Sequence, residues 1–231
     1  MAETGQTAER TSTAGLILIP ALISLAVTIL RLAGELGHWS EEWFTTDTQG
    51  VIPKGLAWVV GITWLAVPFG IYFAVKLARD GRGPSGSIRS IGYGVLGVIV
   101  AAASLFFLIP ALELELRPRL VLVWSAMAVA ALIQLVAWPA LFKTLLAYGL
   151  AARIPVVVVM FLAMRGDWGT HYDYVGMPPQ FQMSLLPRFF WLGFFPQLIF
   201  WVGFTILAGS LSGSMVAAMI TRTRERPAVS V

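Results

Sequence analysis

Residues 15–33 read GLILIPALISLAVTILRLA, an apolar run long enough to cross a lipid bilayer as a helix. Further runs of this kind lie at 55–77, 91–112, 120–141, 146–164 and 197–219. The 231-residue chain is 58% hydrophobic and 12% charged, whereas an average soluble domain carries about 25% charged residues. The sequence therefore predicts an all-α integral membrane protein, a bundle of about six transmembrane helices.

Positive charge predicts how these helices are oriented, because cytoplasmic loops carry an excess of Lys and Arg. With a cytoplasmic N-terminus, nine basic residues fall in inner segments and five in outer segments. We therefore expect an inner (cytoplasmic) membrane protein with both termini cytoplasmic. Its predicted parts are a disordered tail at 1–14, a transmembrane domain at 15–221 and a second cytoplasmic tail at 222–231.

Prolines and aromatic residues modify this plain bundle. An interior proline removes a backbone hydrogen bond and tends to kink a helix, so we expect several helices to be proline-kinked. The segment PRFFWLGFFP (187–196) predicts an interfacial aromatic segment before the last span, because aromatic rings collect at the membrane surface. Each predicted helix holds or borders one proline: Pro20, Pro68, Pro110, Pro139, Pro155 or Pro196.

Several classes of function are excluded by composition and motif context. The chain has no cysteine, so disulfides, thiolate metal sites and cysteine nucleophiles are absent. The motif GYGVLG (92–97) matches the dinucleotide fingerprint but runs into a membrane span instead of following a strand. The basic residues lie at the ends of apolar segments and form no aromatic-interleaved patch. We expect neither a nucleotide nor a nucleic acid as partner.

The first span carries a regular polar pattern. Its polar residues are spaced 4, 3, 4, 3 and 4 apart, which places them on one face of a helix running from 15 to about 44. A charged stripe of this kind is costly to expose to lipid, so we expect it to face the bundle. The stripe consists of Ser24, Thr28, Arg31, Glu35, His38 and Glu42.

The loop RGDWGTHYDYVGMPPQ (165–180) is expected on the same side of the membrane as the end of this stripe. It contains His171, Asp167 and Asp173 among turn-forming glycines and interfacial aromatics. The stripe and loop allow three interpretations: a buried ion pair that ties the helix to the bundle, one wall of an aqueous vestibule, or a mixed histidine–carboxylate metal site. The ligands of that metal would be Glu35, His38, Glu42 and His171.

Arg153 falls near the middle of the fifth predicted span, where no carboxylate is expected at the same depth. An arginine inside the membrane indicates a functional site by default. Its candidate partners are Gln134, carbonyls freed by Pro139 or Pro155, and an anionic ligand such as a lipid phosphate. Alternatively, the span begins later and Arg153 extends to the cytoplasmic headgroups.

Glycines mark candidate helix–helix contacts in two spans. Gly94 and Gly97 lie within one span, and Gly209 and Gly213 form a G-x-x-x-G pattern in the last. Small residues spaced in this way allow two helices to approach closely. The contact is expected inside the bundle, with contact between protomers as the alternative.

The leading functional expectation is a non-enzymatic membrane protein, either a small transporter-like protein or an accessory membrane subunit. Its extracytoplasmic polar vestibule would be lined by Arg31, Glu35, His38, Asp167, His171 and Asp173, with Arg153 meeting an anion from the other side. No cofactor is predicted, and a divalent metal would accompany the first alternative, a membrane metalloenzyme acting on a lipid or quinone-like substrate. The second alternative is a structural subunit, whose small-residue helix faces pack against membrane-protein partners or a second copy.

Overall fold

The chain folds into a bundle of helices with three buried hydrophobic clusters in the described residues. The structure, a computed structural model, describes residues 12–47, 55–174 and 181–225, with only the backbone over 221–225. Within these residues the chain is helical and contains no strand. The helices are α1 (Thr13–Leu36), α2 (Glu41–Phe44), α3 (Ala66–Arg79), α4 (Ser87–Ala111), α5 (Leu116–Ala137), α6 (Pro139–Gly166) and α7, which begins at Leu185 and ends at Glu225.

Five of these helices, in the part of the chain that the structure describes, are long and apolar enough to span a membrane: α1, α4, α5, α6 and the Leu185–Ile220 part of α7. The remaining predicted span, the second one at 55–77, takes another form. Its first part consists of turns over 55–62 and a single 3₁₀ turn, Thr63–Leu65, and only α3 is helical. At 14 residues α3 is about 21 Å long, shorter than the hydrocarbon layer of about 30 Å. The count of six spans is therefore not confirmed.

Helix α1 ends earlier than its polar stripe predicts. Gly37 caps α1 by donating its backbone N–H to the Ala33 carbonyl, and His38 follows with a left-handed φ of +49°. The chain then turns, so the helix does not continue to about 44. Ser24, Thr28, Arg31 and Glu35 are buried on the inward face of α1, whereas His38 and Glu42 are exposed.

The core forms where α3, α6 and α7 cross. Fully buried Phe73, Leu141 and Leu145 pack there, and the Tyr148 hydroxyl lies 2.9 Å from Ser24 Oγ of α1. Because apolar surface faces both lipid and core in a membrane bundle, close van der Waals packing and such internal hydrogen bonds distinguish the inner faces.

The four glycines singled out in the sequence lie at helix crossings inside the bundle. A Cβ added at Gly94 would lie 3.0 Å from Leu211 Cδ1, and one at Gly97 would lie 2.5 Å from Gln134 Nε2. A Cβ at Gly209 would meet Leu145 Cδ2 at 2.5 Å, and one at Gly213 would meet the Gly70 carbonyl oxygen at 2.7 Å. These contacts join α4 to α5 and α7, and α7 to α3 and α6.

Helix α7 incorporates the aromatic segment 187–196. Leu185–Ile220 is continuous helix, with wider π-helical turns at Phe190–Phe194 and Pro196–Trp201. Its 36 residues span about 54 Å, more than the bilayer thickness. The position of this segment in the membrane interface remains a prediction. The kinks expected at Pro20 inside α1 and at Pro155 inside α6 also remain predictions. Most of the two predicted tails, residues 1–11 and 226–231, lies outside the described residues.

Candidate functional site

A cavity of about 650 Å³ lies between α1, the turn segment 55–65, α6 and α7. The 3₁₀ turn His171–Asp173 adjoins it at the end of the bundle where α6 stops. Both buried arginines of the described residues, Arg31 and Arg153, line this cavity. Its aromatic wall consists of Trp58, Trp64, Tyr172, Tyr174, Trp201 and Phe204.

Arg153 projects from the middle of α6 into the cavity. It lies about 20 Å from either end of the helix and is only 5% exposed, so it is buried inside the bundle. Its Nη1 donates to Gln197 Oε1 at 3.1 Å and its Nη2 to Thr63 Oγ1 at 3.2 Å. Its guanidinium carbon lies 5.0 Å from the centre of the Trp201 ring. All these partners are neutral, and no carboxylate pairs with Arg153 within the described residues.

Gln134, the side-chain partner expected for Arg153, lies elsewhere. Its Nε2 donates to the Tyr93 carbonyl at 3.0 Å, between α4 and α5. Gln197 takes its place because the π-helical turn Pro196–Trp201 presents Gln197 and Trp201 towards α6. Proline has no N–H to donate at Pro196, and π-helical turns of this kind are common at functional sites.

Arg31 lines the other end of the cavity in a different environment. Its Nε donates to Glu35 Oε1 at 2.8 Å, and its Nη1 and Nη2 donate to the Ala57 and Thr45 carbonyls at 2.6 and 3.3 Å. The Glu35 side chain has no exposed surface. Arg31 is thus neutralised by a buried ion pair, and it also holds the turn segment against α1.

His171 joins the loop to this ion pair. Its backbone N–H donates to Glu35 Oε2 at 2.9 Å, and its Nδ1 lies 2.6 Å from Glu35 Oε1. A carboxylate can only accept, so Nδ1 carries the proton and Nε2 remains an acceptor. Burial lowers the pKa of His171; the Glu35 hydrogen bond opposes this shift and the Arg31 charge adds to it. His171 is therefore neutral at pH 7.

The remaining predicted vestibule residues do not reach the cavity. His38 and Glu42 are exposed because α1 ends at Leu36. Asp167 is exposed at the left-handed end of α6. Asp173 is buried but accepts from Gly169 N, Thr170 N and Thr170 Oγ1 at 2.6–2.8 Å, capping its own turn. The loop therefore reaches the α1 stripe through His171 and through Tyr172, whose hydroxyl donates to the Thr28 carbonyl at 3.4 Å. Neither aspartate does so.

The candidate metal ligands are separated by the same break in α1. Glu35 and His171 are in contact, whereas His38 and Glu42 leave that face. Across the residues that the structure describes, no three His, Asp or Glu side chains come together as a metal site. The structure thus brings together two of the four proposed ligands, Glu35 and His171. The Glu35 carboxylate is already paired with Arg31.

The turn segment 55–65 belongs to the site, although the hydropathy pattern predicted it as part of a membrane-spanning helix. Thr63, the first residue of the 3₁₀ turn, contacts Arg153 at the middle of α6, so backbone that is not α-helical extends deep into the bundle. Irregular backbone is tolerated at membrane depth only where protein or a cavity surrounds it. Here Arg31 donates to the Ala57 carbonyl, and Trp64 Nε1 donates to the Val59 carbonyl at 2.9 Å.

Burial keeps the loop tyrosines neutral. It raises the pKa of Tyr172 above its ordinary range, and the nearby Glu35 charge raises it further. Burial also raises the pKa of Tyr174. Both hydroxyls stay protonated at physiological pH, so they offer hydrogen bonds to the cavity and add no charge.

No family model, no curated protein and no solved structure matches this chain. The class therefore follows from the chain itself. Five long apolar helices in the described residues and an internal cavity with two buried arginines indicate a membrane-embedded helical protein.

Proposed function

We propose that this protein is a small transporter-like or accessory protein of the inner membrane that binds an organic anion in the cavity. Arg153 makes the principal contact with the negative group. Both termini are cytoplasmic, so the loop end of the cavity is extracytoplasmic. The observation that carries this proposal is a buried guanidinium, without a carboxylate partner in the described residues, on the wall of a 650 Å³ cavity.

Arg153 incurs a desolvation cost for its burial, as any buried charge does. Removing an ion from water costs several kcal/mol, and an opposite charge with good hydrogen bonds offsets it. Gln197 and Thr63 accept two of the five N–H groups of Arg153, and Trp201 contributes its ring face. An anionic ligand would supply the missing charge, through a hydrogen bond to a charged group that contributes about 1.5–3 kcal/mol.

The turn segment 55–65 supports the transporter-like assignment. In membrane transporters, interrupted helices with unwound backbone line the substrate cavity near the middle of the bilayer. This segment precedes the short helix α3 and contributes Trp58, Thr63 and Trp64 to the cavity wall. A subunit that only packs against partners has no need for backbone that departs from the α-helix at such depth.

A fluorescent anion tests this function. Dansylamino-undecanoate, a carboxylate on an apolar chain, is titrated into purified protein in phosphatidylcholine nanodiscs. We expect saturable binding that Arg153→Gln weakens by about tenfold to a hundredfold, the value of a charge-assisted hydrogen bond. Arg119→Gln is the matched control, because Arg119 is exposed and outside the cavity. Equal binding by both variants would exclude Arg153 as the anion site.

Cysteine labelling tests the orientation. The chain has no cysteine, so single substitutions at exposed Asp167 and Ser85 give unique thiols at opposite ends of the bundle. In intact cells, a membrane-impermeant maleimide should label Asp167→Cys and not Ser85→Cys. Labelling of Ser85→Cys alone would reverse the proposed topology.

The two alternatives receive less support from the geometry. The metalloenzyme would need His38 and Glu42 beside Glu35, and the end of α1 separates them. The structural subunit would use Gly209 and Gly213 against a partner, whereas these glycines contact α3 and α6 of the same chain.

A further inference from the structure

We infer that the ligand carries a single negative charge, as a carboxylate or phosphodiester, on one apolar chain or ring body. This inference rests on the proposed function and specifies the substrate class of the same cavity. It follows from the charges around the cavity and from the side chains that lead away from Arg153.

Charge compensation limits the anion to one charge at the deep end of the cavity. Arg31 and Glu35 form a buried pair, which cancels their charges. Asp47 lines the cavity at the loop end, where its backbone N–H bonds Thr45 Oγ1. Among the described residues, Arg153 is the charged side chain at the deep end of the cavity, so it is the one that faces the ligand there. A second ligand charge would stay buried without a partner, which is strongly unfavourable.

The neutral polar groups of the cavity do not change this count. His171 is neutral with its proton directed to Glu35, and Tyr172 and Tyr174 remain protonated. Thr63 and Gln197 carry no charge. They can orient an anionic group that Arg153 holds, but none of them can offset a second negative charge.

The surroundings of Arg153 specify an apolar body. Val156 and Met160 follow it by three and seven residues on the same face of α6, and both line the cavity. They extend about 10 Å from Arg153 towards the loop. Trp201 and Phe204 line the facing side from α7. The flexible methionine side chain adapts to ligands of varied shape.

Size and headgroup geometry narrow the class further. A volume of 650 Å³ lies within the range of pockets that enclose drug-sized molecules. One acyl chain or compact ring body therefore fits better than a two-chain phospholipid. The planar guanidinium matches the paired oxygens of a carboxylate or phosphodiester, which it can bind through two parallel hydrogen bonds.

Single-chain lipids with one common acyl group test this class by displacing the dansyl probe from nanodiscs. Lysophosphatidylglycerol is a monoanion, lysophosphatidylcholine has no net charge, and lysophosphatidic acid carries about −1.5 to −2 at pH 7, like other phosphomonoesters. We expect lysophosphatidylglycerol to bind about tenfold tighter than either. Oleate tests a carboxylate as the anionic group. If oleate binds more tightly than lysophosphatidylglycerol, the cavity prefers a carboxylate, and the reverse order indicates a phosphodiester.

Variants separate this inference from the proposed function. Arg153→Gln should reduce lysophosphatidylglycerol affinity by about tenfold to a hundredfold. It should reduce lysophosphatidylcholine affinity less, because the choline cation already neutralises that phosphodiester. Gln197→Glu, which keeps the side-chain size and pairs Arg153 with a carboxylate, should produce the same loss. It keeps the experiment decisive should Arg153→Gln not fold.

Two outcomes would contradict different claims, one the single charge of the ligand and the other the binding of an anion. Tighter, Arg153-dependent binding of lysophosphatidic acid would contradict the single charge while leaving anion binding intact. Equal affinity for all three lysolipids, unchanged by Arg153→Gln and Gln197→Glu, would contradict the proposed function itself.

Discussion

Each end of the cavity contains one buried arginine, and the two arginines have different partners. At the loop end, Arg31 pairs with Glu35, and its remaining donors reach the Ala57 and Thr45 carbonyls. At the deep end, Arg153 has a neutral amide, a neutral hydroxyl and an aromatic ring. Both arginine residues are 5% exposed, so burial does not distinguish them.

What distinguishes them is charge balance. The Arg31 end is internally compensated and ties three separate parts of the chain together, which is the arrangement of a structural contact. The Arg153 end lacks a negative charge within the described residues and faces open volume. Internal compensation indicates structure, whereas its absence beside a cavity indicates a site for a ligand.

Glu35→Gln should give the largest loss of stability. It leaves Arg31 buried without a counter-charge and weakens two hydrogen bonds from His171. Loss of one partner of a buried ion pair costs about 3–5 kcal/mol. SDS titration in mixed micelles measures the free energy of unfolding. Exposed Glu42→Gln is the matched control, with an expected change within about 0.5 kcal/mol. Equal effects of the two substitutions would show that the Arg31 end is not structural.

Acid should weaken the same end through His171. Burial holds its folded-state pKa below the unfolded value of about 6.5. The unfolded chain therefore binds the extra proton first as pH falls below about 6.5. The free energy of unfolding should then decrease by at most about 1.4 kcal/mol per pH unit. His171→Gln should remove this slope between about pH 7.5 and 5.5, and exposed His38→Gln should retain it. A wild-type protein that gains stability on acidification would contradict the neutral assignment.

Asp173→Asn should have a smaller effect, about 1 kcal/mol. The carboxylate accepts three hydrogen bonds that close the 3₁₀ turn next to His171, and loss of such a cap typically costs about 0.5–2 kcal/mol. Asp167→Asn is the control on the exposed side of the loop. The thermal unfolding midpoint reports both variants, and an Asp167 effect as large as that of Asp173 would contradict these assignments.

Arg153→Gln should change stability least among these buried-site substitutions. Its partners Gln197 and Thr63 are neutral, so no opposite charge is left behind. Removal of an unpaired buried charge can even stabilise a protein. We expect a change within about 1 kcal/mol without ligand, by the same SDS titration. A loss similar to that of Glu35→Gln would make the two ends equivalent and remove the distinction.

The spacing of polar residues was sufficient to predict the inward face of α1 and its contact with the loop. The spacing of Ser24, Thr28, Arg31 and Glu35 predicts one face, and these residues are buried together. The same spacing was misleading for His38 and Glu42, because it cannot register where the helix ends. Gly37 was the available signal, since glycine commonly follows the end of a helix.

The turn segment 55–65 could not be predicted from hydropathy. Its sequence, GLAWVVGITWL, is as apolar as a membrane helix, and only the glycines hint at another conformation. Its conformation depends on distant residues such as Arg31, which bonds the Ala57 carbonyl. Gln197, by contrast, was visible as an isolated amide in an aromatic stretch and could have been proposed as a partner of Arg153.

The most direct test is a crystal structure with dibromostearate bound, in which the anomalous signal locates the two bromines. We expect bromine peaks inside the cavity near Val156, Met160 and Phe204, with the carboxylate about 2.7–2.9 Å from the Arg153 guanidinium. Bromine peaks confined to the lipid-facing surface, with Arg153 bonded only to Gln197 and Thr63, would contradict the claim that Arg153 is an anion site.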